Sequence, residues 1–276
     1  MKMPAPNTPL LVDRDALAAH RARVRSDALF LHHAAVDEVQ DRLSLVNKTF
    51  TAPAVVTPFA GVWADVLPGA RLVADDEVLD LPVGGHDLVV HAMGLHWAND
   101  PVGQLIQCRR ALRPDGLMLV ICLGGQTLHQ LRAALGQAEI EVKGGLSPRV
   151  APMGELRELG ALLQRAGLAL PVADSVPLTA EYRDLKHLMR DLRNMGETNA
   201  LGARVRHATP RAVFERAEAL YRDHFANAAG RLPATFELVC LTGWSPDESQ
   251  PKPLRPGSAQ ARLADALLTK ETKLSD

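Results

Sequence analysis

Residues 87–125, DLVVHAMGLHWANDPVGQLIQCRRALRPDGLMLVICLGG, constrain the fold more than any other stretch. They read as strand, loop, helix, turn and strand. Asp87, Leu88, Val89 and Val90 follow the Gly84-Gly85 breaker and suit a buried strand. Asn99 or Asp100 can cap a helix opening on Pro101, and Val102, Leu105, Ile106 and Leu112 recur at helical spacing. Arg113-Pro114-Asp115-Gly116 predicts a turn, proline fixing φ and glycine supplying positive φ. Residues 117–123 form a continuous apolar run, expected as a strand buried on both faces. A strand, a crossover helix and a second buried strand make a parallel βαβ unit, which places the chain in the α/β class.

The 276 residues suit one large α/β domain or one domain with a helical insertion. Hydrophobic residues make up 47% of the chain and aromatics only 4%, so the core must rest on Leu, Val and Ala. A net charge of -1 argues against a nucleic-acid or anionic-membrane surface. Cys108, Cys122 and Cys240 lie in apolar surroundings without CxxC spacing and are expected as reduced, buried thiols. No apolar run approaches the roughly 18 residues of a membrane span. The opening MKMPAPNTPL lacks the apolar core of a signal peptide. Asp13 and Asp15 interrupt an Arg-rich stretch that a transit peptide would keep acid-poor, so a cytoplasmic location is expected.

Residues 13–48 read as two helices, the second with Val36, Val39, Leu43 and Val46 on one stripe. Residues 54–56 make a strand, followed by Thr57-Pro58-Phe59-Ala60-Gly61. After Gly124-Gly125, Thr127 and Gln130 offer a capping box for a helix with Leu128, Leu131 and Leu135 inward and Gly144-Gly145 at its end. Helices are expected over 152–166, with Gly167 past the end, and over 184–195. Thr209 is expected to cap a helix that Pro210 begins. Residues 168–172 and 236–242 read as the last two strands, the latter as an edge. The helical stretch between them, about 180–230, reads as a lid or partner surface. The expected organisation is N-terminal helices over 1–50, the sheet domain over 51–245, and an irregular Pro-rich tail over 246–276 with a short helix over 258–268.

The pattern DLVV, LHW, ND and RRALRPDGL resembles the fourth and fifth strands of class I S-adenosylmethionine-dependent methyltransferases. Residues 124–132, 144–149, 189–199 and 233–237 resemble one subgroup. It holds the methyltransferase-like assembly factor of respiratory complex I and its bacterial relatives, and is related to the malonyl-acyl-carrier-protein methyltransferase of biotin synthesis. The resemblance covers residues 10–260 and is strongest after Asp87. It implies a Rossmann-like, mostly parallel sheet with a shortened N-terminal half and a helical insertion before the last strand. It also implies S-adenosylmethionine as cofactor and a protein client such as a respiratory complex subunit, or a small-molecule substrate.

Carried onto this chain, the resemblance places the cofactor at Gly61, at Asp75, Asp76 and Glu77, and at His91, Ala92 and Met93. Residues 72–82 resemble the family segment after the third strand, where a carboxylate and backbone amides hold the adenine. A polar turn explains the same residues. The family's DxGxGxG turn is replaced by Pro58-Phe59, with only Gly61 left, and the second strand with its ribose-binding acid has no clear counterpart. His91 stands where the family has a small hydroxyl residue, and Gln126 where the subgroup has Asp. His96, Trp97, Arg149, Glu197 and Asn199 are the substrate-pocket candidates. Trp97 could equally anchor its loop, and Arg149 could equally be a surface charge. Arg14, Arg21, Arg23 and Arg25 match a helix that covers the cofactor in the subgroup, or a solvated face.

The chain has no GxSxG elbow, no GxxxxGK[ST] loop and no HExxH motif. His91 and His96, five apart across a loop, could join an acid in an iron site, but ten scattered histidines make such a spacing easy to meet by coincidence, and no metal site is expected. Three readings remain: S-adenosylmethionine-dependent methyltransferase, assembly-factor-like binding scaffold with a degenerate cofactor site, and protein-arginine hydroxylase.

Overall fold

In the computed structural model, which describes residues 10–251 and Thr269, six strands form one sheet. They are β1 (Pro53–Val56), β2 (Arg71–Val73), β3 (His86–Ala92), β4 (Leu112–Leu123), β5 (Ala169–Tyr182) and β6 (Leu232–Trp244). Their order across the sheet is β2-β1-β3-β4-β6-β5. The first four in that order run parallel, and β6 is antiparallel to both β4 and β5.

Side chains alternate between two cores, as a pleated strand buried on both faces requires. Val55, Leu88, Val90, Leu119, Ile121 and Phe236 point into one, together with α2 (Phe30–Leu45), α5 (His129–Lys143), α7 (Leu185–Asn194) and α8 (Arg211–Phe225). Val56, Val89, Met118, Val120 and Leu241 point into the other, against α4 (Pro101–Ala111) and α6 (Leu156–Arg165). Cys108, Cys122 and Cys240 are free and buried, and burial pushes each thiol up to about 12. Two short helices complete the unit: α1 (Arg14–Arg21) and α3 (Ala60–Trp63). A second unit starts at Asp247, and the helix expected over 258–268 lies outside the described residues.

The central unit forms as its local chemistry dictates. Asp100 caps α4, its carboxylate accepting from the Gly103 N–H at 2.8 Å, and Pro101 is the first helical residue. The turn at 113–116 is a bulge within β4: His86 faces Leu112 and Leu88 faces Leu117. Positive φ falls on Asp115 (φ 55) and not on Gly116. Aspartate tolerates that conformation, and the Lys48 ammonium donates to its carboxylate at 2.7 Å. Gly116 is needed for space, since a Cβ there would stand 2.9 Å from the Arg113 carbonyl oxygen.

Four expectations are corrected. Thr127 and Gln130 do not make a capping box. Thr127 Oγ1 accepts from the Glu237 N–H at 3.0 Å and Gln130 Nε2 donates to Thr235 Oγ1 at 2.7 Å, so both stitch the start of α5 to β6. Thr209 does not cap α8; its hydroxyl accepts from Arg149 Nη1 at 2.6 Å, and the helix begins at Arg211. β6 is not an edge: it lies between β4 and β5, and β5 is the edge. Two strands precede β3, in keeping with the shortened N-terminal half that the resemblance implies, and Asp75 follows the second of them. The helix expected from residue 152 starts later, at Leu156.

Candidate functional site

Ligands in open parallel sheets bind beyond the carboxyl ends of the strands. There, Asp75 lies two residues past β2 and is only 3% exposed. Arg21 Nη1 donates to both of its carboxylate oxygens, at 2.9 and 3.0 Å. Arg14 Nη2 donates to the Asp75 backbone oxygen at 2.8 Å, and its Nη1 stands 3.8 Å from the carboxylate. Arg14 and Arg21 are seven residues apart, two turns of α1, and so share one face. Gly94 lets the β3 loop close onto this pair: a Cβ would stand 2.8 Å from Asp75 Oδ2.

The other residues carried over for the cofactor are scattered around this pair. Asp76 is exposed, with Arg14 at 3.7 Å, and Glu77 is exposed while its backbone oxygen accepts from Gln107. Gly61 is an exposed residue of α3 whose surroundings leave room for a Cβ. His91 is buried and turned toward α4, where its Nε2 donates to Gln104 Oε1 at 2.7 Å; burial lowers its pKa and keeps it neutral. Ala92 and Met93 are buried in the core beneath α2.

His32 on α2 completes the strand tips. It meets the Phe59 ring edge-on at 4.8 Å, and burial drops its pKa to about 4. Neither of its ring nitrogens has a partner among the described residues, and Arg21 Nη2 and Trp63 Nε1 also lack one.

The residues present do not fit S-adenosylmethionine as they stand. Asp75, His91, Ala92 and Met93 are at most 3% exposed, and the Asp75 carboxylate already holds a guanidinium. Pro58 and Phe59 occupy the turn where glycines would admit the cofactor.

The substrate-pocket candidates do converge. A cavity of about 250 Å³ opens beyond the tip of β4, with walls that include Leu128, Leu131, Met189, Phe214 and Phe236. Trp97, Arg149, Glu197 and Asn199 also line it. Glu197 follows α7 and its side chain is only 9% exposed. Its Oε2 accepts from Trp97 Nε1 at 2.8 Å and lies 3.3 Å from His96 Nε2. The Leu123 N–H donates to His96 Nδ1 at 3.5 Å, which leaves Nε2 as the protonated nitrogen facing Glu197. Burial alone would raise the Glu197 pKa. The His96 contact, Arg21 and the Trp97 N–H outweigh burial and lower it, so the carboxylate is ionised. Its second oxygen, Oε1, takes no hydrogen bond from the described residues.

Arg149 is fixed on another wall, donating to Glu139 at 2.6 Å and to Thr209. Glu139 also accepts from Ser147 and Lys143, contacts that overcome burial and hold it at about 2. Asn199 is committed to its loop, donating to the Pro148 oxygen and accepting from the Leu201 N–H. Among the described residues no three His, Cys, Asp or Glu side chains converge as metal ligands, and His91 and His96 engage separate partners.

Sequence reasoning missed His32, which lies on the buried face of α2, and the aromatic wall from Phe214 and Phe236. The alternation along β6 was the available signal for Phe236.

No protein-family model matches the chain. It is 37% identical over 220 residues to the Homo sapiens protein named arginine-hydroxylase NDUFAF5, mitochondrial, covering 80% of this chain and 64% of that protein. The Danio rerio protein of the same name is 36% identical over 199 residues, 72% of this chain and 62% of that one. The chain thus spans less than two thirds of the length of these relatives. The malonyl-[acyl-carrier protein] O-methyltransferase of Laribacter hongkongensis is 37% identical over 177 residues, 64% of this chain and 57% of that protein. The crystal structure of the YcgJ protein from Bacillus subtilis superposes with a TM-score of 0.50 at 14% identity, covering 78% of this chain and 100% of that one, a likeness of fold alone. Among the described residues no helix is long and apolar enough to cross a membrane. By sequence the chain is a relative of the arginine hydroxylases named NDUFAF5 and of malonyl-[acyl-carrier protein] O-methyltransferases, and by architecture it is a class I methyltransferase-like α/β protein.

Proposed function

We propose that this chain captures an arginine side chain of a protein client in the cavity beyond β4, using its methyltransferase-like fold as the frame. The observation that carries the reading is Glu197: an ionised carboxylate, nearly buried, with one oxygen uncommitted on the wall of an apolar cavity. A buried charge is costly unless paired, and the guanidinium of a ligand supplies both the opposite charge and the missing donors. Leu128, Leu131 and Phe236 suit the aliphatic stem. The relatives' name, arginine hydroxylase, supports an arginine-bearing client, and the resemblance to the complex I assembly factor supports a respiratory complex subunit as that client. The cytoplasmic location expected from the sequence is part of this proposal.

The test is a fluorescence titration with an arginine-centred peptide and its citrulline counterpart, which is nearly isosteric but neutral. A charge-assisted hydrogen bond contributes about 1.5–3 kcal/mol, so citrulline, or Glu197→Gln, is expected to weaken binding about tenfold or more. Equal affinity for the two peptides would sink the reading.

A second reading, S-adenosylmethionine binding and methyl transfer, is favoured by the fold and by the O-methyltransferase relatives. It requires the guanidinium of Arg21 to leave Asp75.

A further inference from the structure

We propose that α1 is the strand tips' own occupant and that it links this site to the cavity, so that freeing Asp75 also loosens the cavity mouth. Two sets of contacts carry the inference. On one side α1 presents Arg14 and Arg21 to Asp75 and Arg14 to Asp76, with Leu17 buried between them. On the other, the same segment is tied to the loop that brings Glu197, Thr198 and Asn199 to the cavity. Val12 forms an antiparallel bridge with Leu201, and the Asp13 N–H donates to the Ala200 oxygen at 2.8 Å. The Gly202 N–H donates to the Leu11 oxygen at 2.9 Å, and His20 Nδ1 lies 3.2 Å from the Thr198 oxygen. Asp13 pairs with Arg204 at 2.8 Å, and the Arg25 N–H donates to the Asn194 oxygen.

The segment 11–25 therefore holds an acid at the strand tips with the side chains of α1, and the cavity loop with the backbone that flanks the helix and with His20. Arg21 also lowers the Glu197 pKa through space, so its guanidinium serves both sites. A ligand competing for Asp75 must displace Arg21, and the helix that carries Arg21 continues directly from the residues that bridge to Leu201. Coupling between two sites needs an element whose position both sites bias, and it is reciprocal in binding free energy. The link is independent of which group the cavity takes.

The test uses the full chain and two variants that break the latch from opposite sides, Arg14→Gln/Arg21→Gln and Asp75→Asn. Hydrogen exchange is followed in segments 12–25 and 196–202, with α5 and α8 as internal references, and S-adenosylmethionine is titrated calorimetrically into each protein. Each variant is expected to speed exchange about tenfold in both segments while α5 and α8 stay as in the parent. The double variant, which retains Asp75, is expected to bind S-adenosylmethionine at least about tenfold more tightly than the parent. Faster exchange in 12–25 with none in 196–202 overturns the link. Equal affinity of parent and double variant for the cofactor overturns the occupancy. Should the double variant not fold, Asp75→Asn still decides the link. A tightening of parent exchange in 12–25 on adding the cofactor would decide against the occupancy.

Discussion

Glu139 shows what holds a buried carboxylate ionised. Removal from water pushes its pKa up, but Arg149, Ser147 and Lys143 more than compensate and bring it to about 2. Its folded value lies below its unfolded one, so its contribution is fully present above pH 4.5 and is lost as the pH falls through that window toward about 2. Chemical denaturation as a function of pH should show this loss in the parent and not in Glu139→Gln. At neutral pH that variant leaves the half-buried Arg149 guanidinium without its counter-charge and is expected to be less stable by about 1–3 kcal/mol. It should also weaken capture of an arginine peptide far less than Glu197→Gln, because Glu139 contacts the wall of the cavity and not its content.

At the scale of single elements, local chemistry and distant partners divide the outcome. α4 was legible because everything that starts it is contiguous: Asp100 caps, Pro101 fits the first turn, and Gly103 leaves room for the capping carboxylate. Asp100→Ala should cost about 1 kcal/mol in thermal or denaturant unfolding. Gly116→Ala should cost about 1–3 kcal/mol, since its Cβ would press on the Arg113 carbonyl within the β4 bulge; an unchanged midpoint would refute that packing argument. Thr127 and Gln130 misled because their partners, Glu237 and Thr235, are more than a hundred residues away and outcompete a local cap. The site divides in the same way. Trp97, Arg149, Glu197 and Asn199 were named from resemblance, but that they share one cavity rests on contacts such as Trp97 to Glu197, which no sequence spacing encodes. The pairing of Arg21 with Asp75 was likewise hidden, although the seven-residue spacing of Arg14 and Arg21 marks a shared face.

For the molecule as a whole, the sheet sets the order of stability. β3, β4 and β6 are flanked by strands on both sides and by helices on both faces, whereas β2 is a three-residue edge. Native-state hydrogen exchange is expected to show slowest opening in β3, β4 and β6 and fastest in β2; protection of β2 equal to that of β4 would contradict this. The position of β6 carries a further consequence. β5, 14 residues long, has no sheet neighbour among the described residues except β6, and β6 comes later in the chain. On the ribosome, β5 emerges with no strand to pair with, and β4 keeps an open flank until Trp244 has left the exit tunnel. The nascent chain must therefore shelter two unpaired strand edges through the synthesis of the whole α7–α8 stretch, which makes this protein a natural customer for a chaperone acting during translation.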